Sequence, residues 1–112
     1  MTKFLVLYRA PHASFEKMMK NSTPEQRKAG FDAWMAWTHK AGAALVDMGA
    51  PLGPSFQVTA AGPADSTNDL GGYSILQAES KDALAKLCEG HPHFHMEGGF
   101  IEIIQIMPMP GA

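Results

Sequence analysis

The apolar pattern of the chain changes between a period of two and a helical period. Residues 3 to 9 (KFLVLYR) are mostly β-forming and place Phe4 and Val6 on one face and Leu5 and Leu7 on the other. Because both faces are apolar, we expect both faces of this first strand to be covered. The final strand is predicted at residues 100 to 107, FIEIIQIM, with the same two-sided character.

Two helical segments follow the first strand. Residues 12 to 20 predict a short helical turn. A longer helix begins at Thr23, a good N-cap, with Pro24 in the first helical position and Gln26 at capping-box spacing. One apolar stripe at helical spacing is expected to face the core, and Trp37 lies beside this stripe. The stripe consists of Phe31, Trp34, Met35, Thr38 and Gly42.

The second half of the chain predicts three more strands and one more helix. Residues 43 to 60 are strand-forming and are interrupted by a bend at Gly49 to Pro54, and residues 62 to 72 (GPADSTNDLGG) predict a polar loop. A strand at residues 73 to 79 precedes a helix that Ser80 caps and Gly90 ends.

The resulting order β-α-β-β-β-α-β predicts a single domain over residues 1–112 of the α+β class. We expect a ferredoxin-like split βαβ sheet with two main helices on one face. Two helices cover only one side of such a sheet. The apolar area exposed on its other side would then exceed the few hundred Å² that monomers usually expose. We therefore expect a homodimer that packs sheet on sheet about a two-fold axis.

Composition excludes several classes of function. The net charge of −2 on 112 residues offers no basic stripe, so we expect no direct nucleic-acid partner. No apolar run approaches the ~20 residues that span a bilayer, so we expect no membrane association. The lone Cys88 cannot form an internal disulfide, which fits a soluble, cytoplasmic protein.

Several segments together resemble the YCII-related family, in its DGPF-domain branch. These are KFLVLYR, WMAWTHKAGAALVDMGAPLGPS, NDLGGYSILQAES, and GHPHF followed by GGFIEIIQIMPMP, and they cover nearly the whole chain. The resemblance implies a dimeric α+β barrel with a cleft lined by sheet residues. Most family members lack an assigned activity. One is a dechlorinating enzyme thought to use a His/Asp pair, and some accompany or are fused to sigma factors.

The family pattern matches this chain at some positions and departs from it at others. Asp47 and Gly49 match the bend of the family, His91 matches its HP pair, and Glu102 matches its IE pair. The histidine that catalytic members carry in the first long helix has no counterpart near Phe31, and GPADSTND stands in place of the DGPF signature. The resemblance therefore implies the fold more directly than the dyad mechanism.

Three histidines at alternate positions, His91, His93 and His95, raise the question of a metal site. In an extended segment their imidazoles would project to one side, as zinc ligands do. We instead expect an exposed irregular loop between Gly90 and the last strand. A structural zinc usually has four ligands, and no cysteine pair is available. We therefore predict no metal and no cofactor.

Three residues are the candidates for catalysis. His91 follows a helix C-terminus, whose dipole favours its charged form; it would bind an anion or transfer a proton, or else make a structural hydrogen bond. Glu102 in the last strand would be a general acid or base, or an exposed side chain at a sheet edge. Asp47 would orient a histidine, or accept hydrogen bonds from turn amides.

The candidates for ligand binding are Arg9, Tyr73 and Ser55. Arg9 would pair with a substrate carboxylate or form a surface salt bridge. The leading interpretation is a small-molecule-binding protein, in one version an enzyme acting on a small acidic or cyclic metabolite in a cleft near the dimer interface. The alternative is a non-catalytic ligand-binding or regulatory module associated with a sigma factor. A third hypothesis is an accessory subunit without a pocket.

Overall fold

A computed structural model describes residues 1–110 of the chain. Within this range the strands are β1 (Thr2–Arg9), β2 (Leu45–Pro51), β3 (Ser55–Thr59), β4 (Gly62–Ser66), β5 (Leu70–Ala78) and β6 (Phe100–Gln105). The α-helices are α1 (His12–Asn21), α2 (Pro24–Ala41) and α3 (Lys81–Leu87), and short 3-10 turns occupy Gly42–Ala44 and Pro92–His95. No helix in these 110 residues is long and apolar enough to cross a bilayer.

Four strands form one antiparallel sheet in the order β2-β5-β1-β6. Helix α2 lies in the connection from β1 to β2, and α3 in the connection from β5 to β6. This order and connectivity are those of a ferredoxin-like split βαβ sheet, so the predicted fold class is confirmed. Strands β3 and β4 form a separate two-stranded sheet.

The helices form because their ends are capped as the sequence predicts. Thr23 Oγ1 accepts the Gln26 amide at 3.1 Å, while Gln26 Oε1 accepts the Thr23 amide at 2.9 Å, which completes the capping box. Ser80 Oγ accepts the Ala83 amide at 3.1 Å and begins α3.

The core lies between the sheet and the two main helices. Alternate residues of β1 and β5 point into it, and side chains of α2 and α3 pack against them from the helix side of the sheet. Val6, Leu76 and Leu84 are completely buried there. The cluster consists of Phe4, Val6, Tyr8, Trp37, Ala41, Leu76, Ala78 and Leu84.

The predicted apolar stripe of α2 is correct at Trp34 and wrong at Phe31 and Met35. Phe31 and Met35 are 64% and 40% exposed, whereas Trp37 and Ala41 are buried and Trp34 packs against the core. Compared with the prediction, the helix is rotated so that its two largest side chains, Trp34 and Trp37, both face the core. The Trp37 indole also donates a hydrogen bond to the Leu87 carbonyl at 3.2 Å, which fixes this orientation. Helix α1, predicted as a short turn, is a ten-residue helix.

The polar segment predicted as a loop at residues 62 to 72 is only partly a loop. Its first five residues form β4, which pairs with β3 from Ser55 opposite Ser66 to Thr59 opposite Gly62. Residues 62 to 66 are poor β-formers, so the strand arises from hydrogen bonding to β3 rather than from intrinsic propensity. We call residues 55 to 66 the hairpin arm.

The other side of the four-stranded sheet has no comparable helical cover. It presents the alternate residues of β1, β5 and β6 that do not enter the core. Phe100 and Ile104 are 47% and 45% exposed there. We call this surface the open face; its larger apolar residues are Leu5, Leu7, Tyr73, Ile75, Phe100 and Ile104.

Gly49 provides a test of how β2 joins the sheet. Its φ is +75°, and a Cβ there would overlap the backbone carbonyl of Tyr73. We expect Gly49→Ala to lower the free energy of unfolding by about 3 kcal/mol or more, through backbone strain and loss of β2–β5 pairing. Gly53→Ala is the matched control, since a Cβ there meets nothing within 4 Å. Urea denaturation measures both, and an equal effect of the two changes would contradict this account of β2.

Candidate functional site

The structure places His91 in the core rather than on an exposed loop. Its amide donates to the Cys88 carbonyl at 3.1 Å, and its Nδ1 accepts the His93 amide at 3.0 Å. These bonds turn the side chain inward, and His91 is 0% exposed. The expectation of an exposed loop, with the charged form favoured by the helix dipole, is therefore wrong for His91.

Aromatic rings surround the His91 imidazole. Its ring centre lies 5.0 Å from that of Tyr8, which is stacked on it, and 4.6 and 4.4 Å from the rings of Trp34 and Trp37. Since Nδ1 accepts a hydrogen bond, a neutral ring carries its proton on Nε2. Nε2 is buried and has no hydrogen-bond partner among residues 1–110.

Burial in this cage lowers the pKa of His91 from its usual 6.5 to about 4, and the neighbouring His93 adds to the effect. The side chain is therefore neutral at physiological pH. His93 Nε2 lies 2.7 Å from the backbone carbonyl of Arg9 and donates to it. Both histidines thus fasten the loop after α3 to the end of β1.

A second buried polar chain lies beside the cage. The Tyr8 hydroxyl donates to Ser74 Oγ at 2.9 Å, and Ser74 Oγ donates to the Met48 carbonyl at 2.8 Å. Burial raises the pKa of Tyr8 to about 12, so its phenol stays protonated. Sequence reasoning gave Tyr8 no chemical role, although a buried tyrosine usually needs a hydrogen-bond partner.

Arg9 binds two carboxylates on the other side of the sheet. Arg9 Nη2 lies 2.6 Å from Asp69 Oδ1, and Arg9 Nη1 lies 2.7 Å from Glu102 Oε1. The pKa of the guanidinium is raised, chiefly by the hydrogen bond to Asp69 and further by the charges of both carboxylates. We call these three residues the Arg9 cluster, and its formal charge is −1.

Glu102 and Asp47 lie at opposite edges of the sheet. Glu102 is partly exposed on β6, an edge strand. Asp47 Oδ1 accepts the Gly49 amide at 2.8 Å, as a turn carboxylate does. Since Asp47 lies on β2, at the opposite edge, three strand spacings or about 14 Å separate the two residues.

The remaining ligand-binding candidates also fall in different places. Tyr73 lies on the open face opposite Leu7, whose other neighbour is Glu102. Ser55 lies at the base of the hairpin arm, where its hydroxyl is 3.0 Å from that of Ser66. The open face thus carries Arg9, Tyr73, Glu102 and Asp47, but not His91 or Ser55. The catalytic and ligand-binding roles of all six remain predictions.

Sequence reasoning missed Asp69 and considered His93 only as a metal ligand. Asp69 precedes β5 in a segment rich in turn residues, and it reaches Arg9 only because β5 pairs with β1. Among the described residues there is no group of three or more His, Cys, Asp or Glu side chains that could hold a metal ion. An open cleft of about 570 Å³ between the start of α3 and the β1–β6 edge contains none of the six candidates.

This is an α+β protein whose sheet has one buried aromatic cage and one exposed charged cluster. No protein-family model and no curated protein matches the chain. Among solved structures it is similar to 5-chloro-2-hydroxyhydroquinone dehydrochlorinase (TftG) from Burkholderia phenoliruptrix AC1100, in complex with 2,5-dihydroxybenzoquinone. The sequences are 18% identical, the TM-score is 0.47, and the match covers 89% of this chain and 90% of that one.

The pKa of His91 predicts a specific dependence of stability on pH. Because the folded-state pKa of about 4 lies below the unfolded value of 6.5, the unfolded chain binds the extra proton between these values. Stability is therefore full above pH 6.5 and falls by roughly 3 kcal/mol as the pH drops to 4.

Denaturant unfolding at several pH values tests this. We expect His91→Asn, which keeps an acceptor for the His93 amide, to flatten the pH dependence between 6.5 and 4, whatever its effect at neutral pH. The exposed His39 gives the matched control, His39→Asn, which should leave the slope unchanged. An unaltered slope in His91→Asn would contradict the assignment.

Proposed function

We propose that the chain is a small-molecule-binding protein of the YCII-related type that acts as a homodimer, with the open faces of two copies packed together. The observation that carries this proposal is the open face itself, which has an apolar centre around Leu5 and Ile75 and the Arg9 cluster at one end. A dimer would cover the apolar centre and leave the polar end lining a hollow beside it.

The accessible surface area of the subunit is large enough to include an interface with a second copy. The described chain exposes 7883 Å², whereas a globular monomer of 12.1 kDa is expected to expose about 6,000 Å². The excess of roughly 1,900 Å² is more than the ~800 Å² that one partner contributes to a standard interface. The radius of gyration of the described chain, 15.7 Å, likewise exceeds the ~13 Å expected for a compact domain of this length.

The Arg9 cluster indicates what kind of ligand would bind. Both terminal nitrogens of Arg9 already hold carboxylates, so a ligand carboxylate would have to displace Asp69 or Glu102. The remaining carboxylate lone pairs accept hydrogen bonds. The cluster therefore favours a small molecule with hydroxyl or amino groups over the acidic metabolite considered from sequence. Tyr73, two strands from Glu102, would add a phenol to the same surface.

In the enzymatic version, Glu102 would act as the general base, because it is exposed and aligned by Arg9, whereas His91 is sealed in its cage. In the alternative version, the same surface binds a ligand without turnover and the protein serves as a regulatory module, for example of a sigma factor. Product analysis after ligand binding separates the two versions.

The dimer is tested by a charge at the centre of the open face. We expect wild type to sediment at twice 12.1 kDa, and Leu5→Lys to sediment at 12.1 kDa with an unchanged circular dichroism spectrum. In the dimer the lysine's charge would lose its water and find no partner, whereas in the monomer the same charge stays solvated. Phe31→Lys, on the exposed side of α2, is the control that should remain dimeric. A monomeric wild type at micromolar concentration would contradict the proposal.

The binding surface is tested by thermal shift with a panel of small hydroxylated and cyclic metabolites. A ligand that stabilises wild type should lose at least tenfold in affinity in Glu102→Gln, because the charged acceptor is removed, and less in Tyr73→Phe. Asp32→Asn, an exposed carboxylate change on α2, is the control and should retain affinity. Equal affinity in wild type and Glu102→Gln would remove the Arg9 cluster from the site.

A further inference from the structure

The hairpin arm is a separate small sheet with little support from the rest of the subunit. Strands β3 and β4 pair with each other and with no strand of the main sheet. Apart from this pairing, no other helix or strand in residues 1–110 packs extensively against either of them. An isolated two-stranded hairpin is marginally stable in water. The arm therefore needs a surface to rest on.

The two faces of the arm differ in chemistry. Directly paired residues share a face, so Phe56, opposite Asp65, and Val58, opposite Pro63, lie together on one side. Phe56 and Val58 are 69% and 71% exposed. The other side carries Gln57 and Thr59 and the hydroxyl contact between Ser55 and Ser66. The side with Phe56 and Val58, which also carries Asp65, is the one whose apolar area would gain from burial.

The attachment point and the length of the arm determine what it can reach. It departs after β2 and returns to β5, at the end of the sheet that carries the Arg9 cluster, and the Leu52 amide is bonded there to the Gly71 carbonyl at 3.1 Å. A five-residue strand spans about 16 Å, which exceeds the ~10 Å between two stacked sheets. A hairpin of this length is long enough to reach a partner stacked on the open face.

The exposed area leaves room for such a contact in addition to the sheet interface. The excess surface of roughly 1,900 Å² is about twice what one partner contributes to a standard interface. Both the open face and the apolar side of the arm carry exposed apolar side chains, Phe100 and Ile104 on the first and Phe56 and Val58 on the second. A dimer that covered only the open face would leave Phe56 and Val58 in water.

We propose that the hairpin arms are exchanged in the dimer, each lying across the other copy with Phe56 and Val58 as its anchors. This rests on the proposed dimer and extends it, since the open face alone would then account for only part of the interface. In a two-fold dimer each anchor occurs twice, so its loss weakens two contacts at once. Buried aromatic anchors dominate the affinity of interfaces.

The test compares the two faces of the arm. The double variant Phe56→Ser, Val58→Ser should raise the dimer dissociation constant at least 100-fold by sedimentation equilibrium. Its matched control, Gln57→Ser with Thr59→Ser on the polar face, should change it less than threefold. If the anchor variant dimerises as wild type does while Leu5→Lys is monomeric, arm exchange is wrong and the sheet-on-sheet dimer stands. A monomeric wild type overturns both.

Proteolysis of the unaltered arm gives a second measurement. Chymotrypsin cleavage after Phe56 should be at least tenfold faster in the Leu5→Lys monomer than in the wild-type dimer, because the partner covers the anchor. Equal cleavage rates would overturn the exchange. If the anchor variant lost thermal stability without any change in the dissociation constant, the arm would pack on its own subunit, which also overturns it.

Discussion

The structure depends on one imbalance, a four-stranded sheet that is apolar on both faces but has its two main helices on only one. On the helix side, Val6 and Leu76 lose all contact with water. On the other side, Phe100 and Ile104 remain nearly half exposed. The described chain measures 44 × 43 × 19 Å and is flattened rather than spherical. Apolar burial stabilises folding in proportion to area, so the same force that holds the helices in place also favours covering the open face.

The buried cage and the exposed cluster are consecutive features of one strand. Tyr8 points to the helix side and stacks on His91, while Arg9 points to the open face and binds Asp69 and Glu102. His93 Nε2 donates to the backbone carbonyl of Arg9 itself at 2.7 Å. The histidines thus influence the charged cluster through the backbone that they fix rather than through their own acid–base chemistry. A rigid strand end is what a precisely placed guanidinium requires.

Local sequence signals predicted most of the fold, and long-range pairing accounts for the errors. The capping box at Thr23, the Ser80 cap and the alternation in β1 depend on neighbouring residues, and all of them appear in the structure. The rotation of α2 depends on which stripe meets the sheet, and β4 depends on pairing with β3. The burial of His91 was missed because an HP pair after a glycine resembles a surface turn, and its hydrogen bond to the His93 amide is visible only in three dimensions.

The electrostatics of the Arg9 cluster bear on how two open faces would meet. Its charge of −1 would become −2 across a two-fold axis if the clusters were enclosed together, and desolvating unbalanced charge costs more than the ion pairs return. The dry contact is therefore expected around Leu5 and Ile75, about 13 Å along the strand from Arg9. The cluster would then stay hydrated at the rim, where a ligand that donates hydrogen bonds would replace water without bringing in a further negative charge. This separation of a dry centre from a wet, acidic rim connects the proposed dimer to the proposed binding surface.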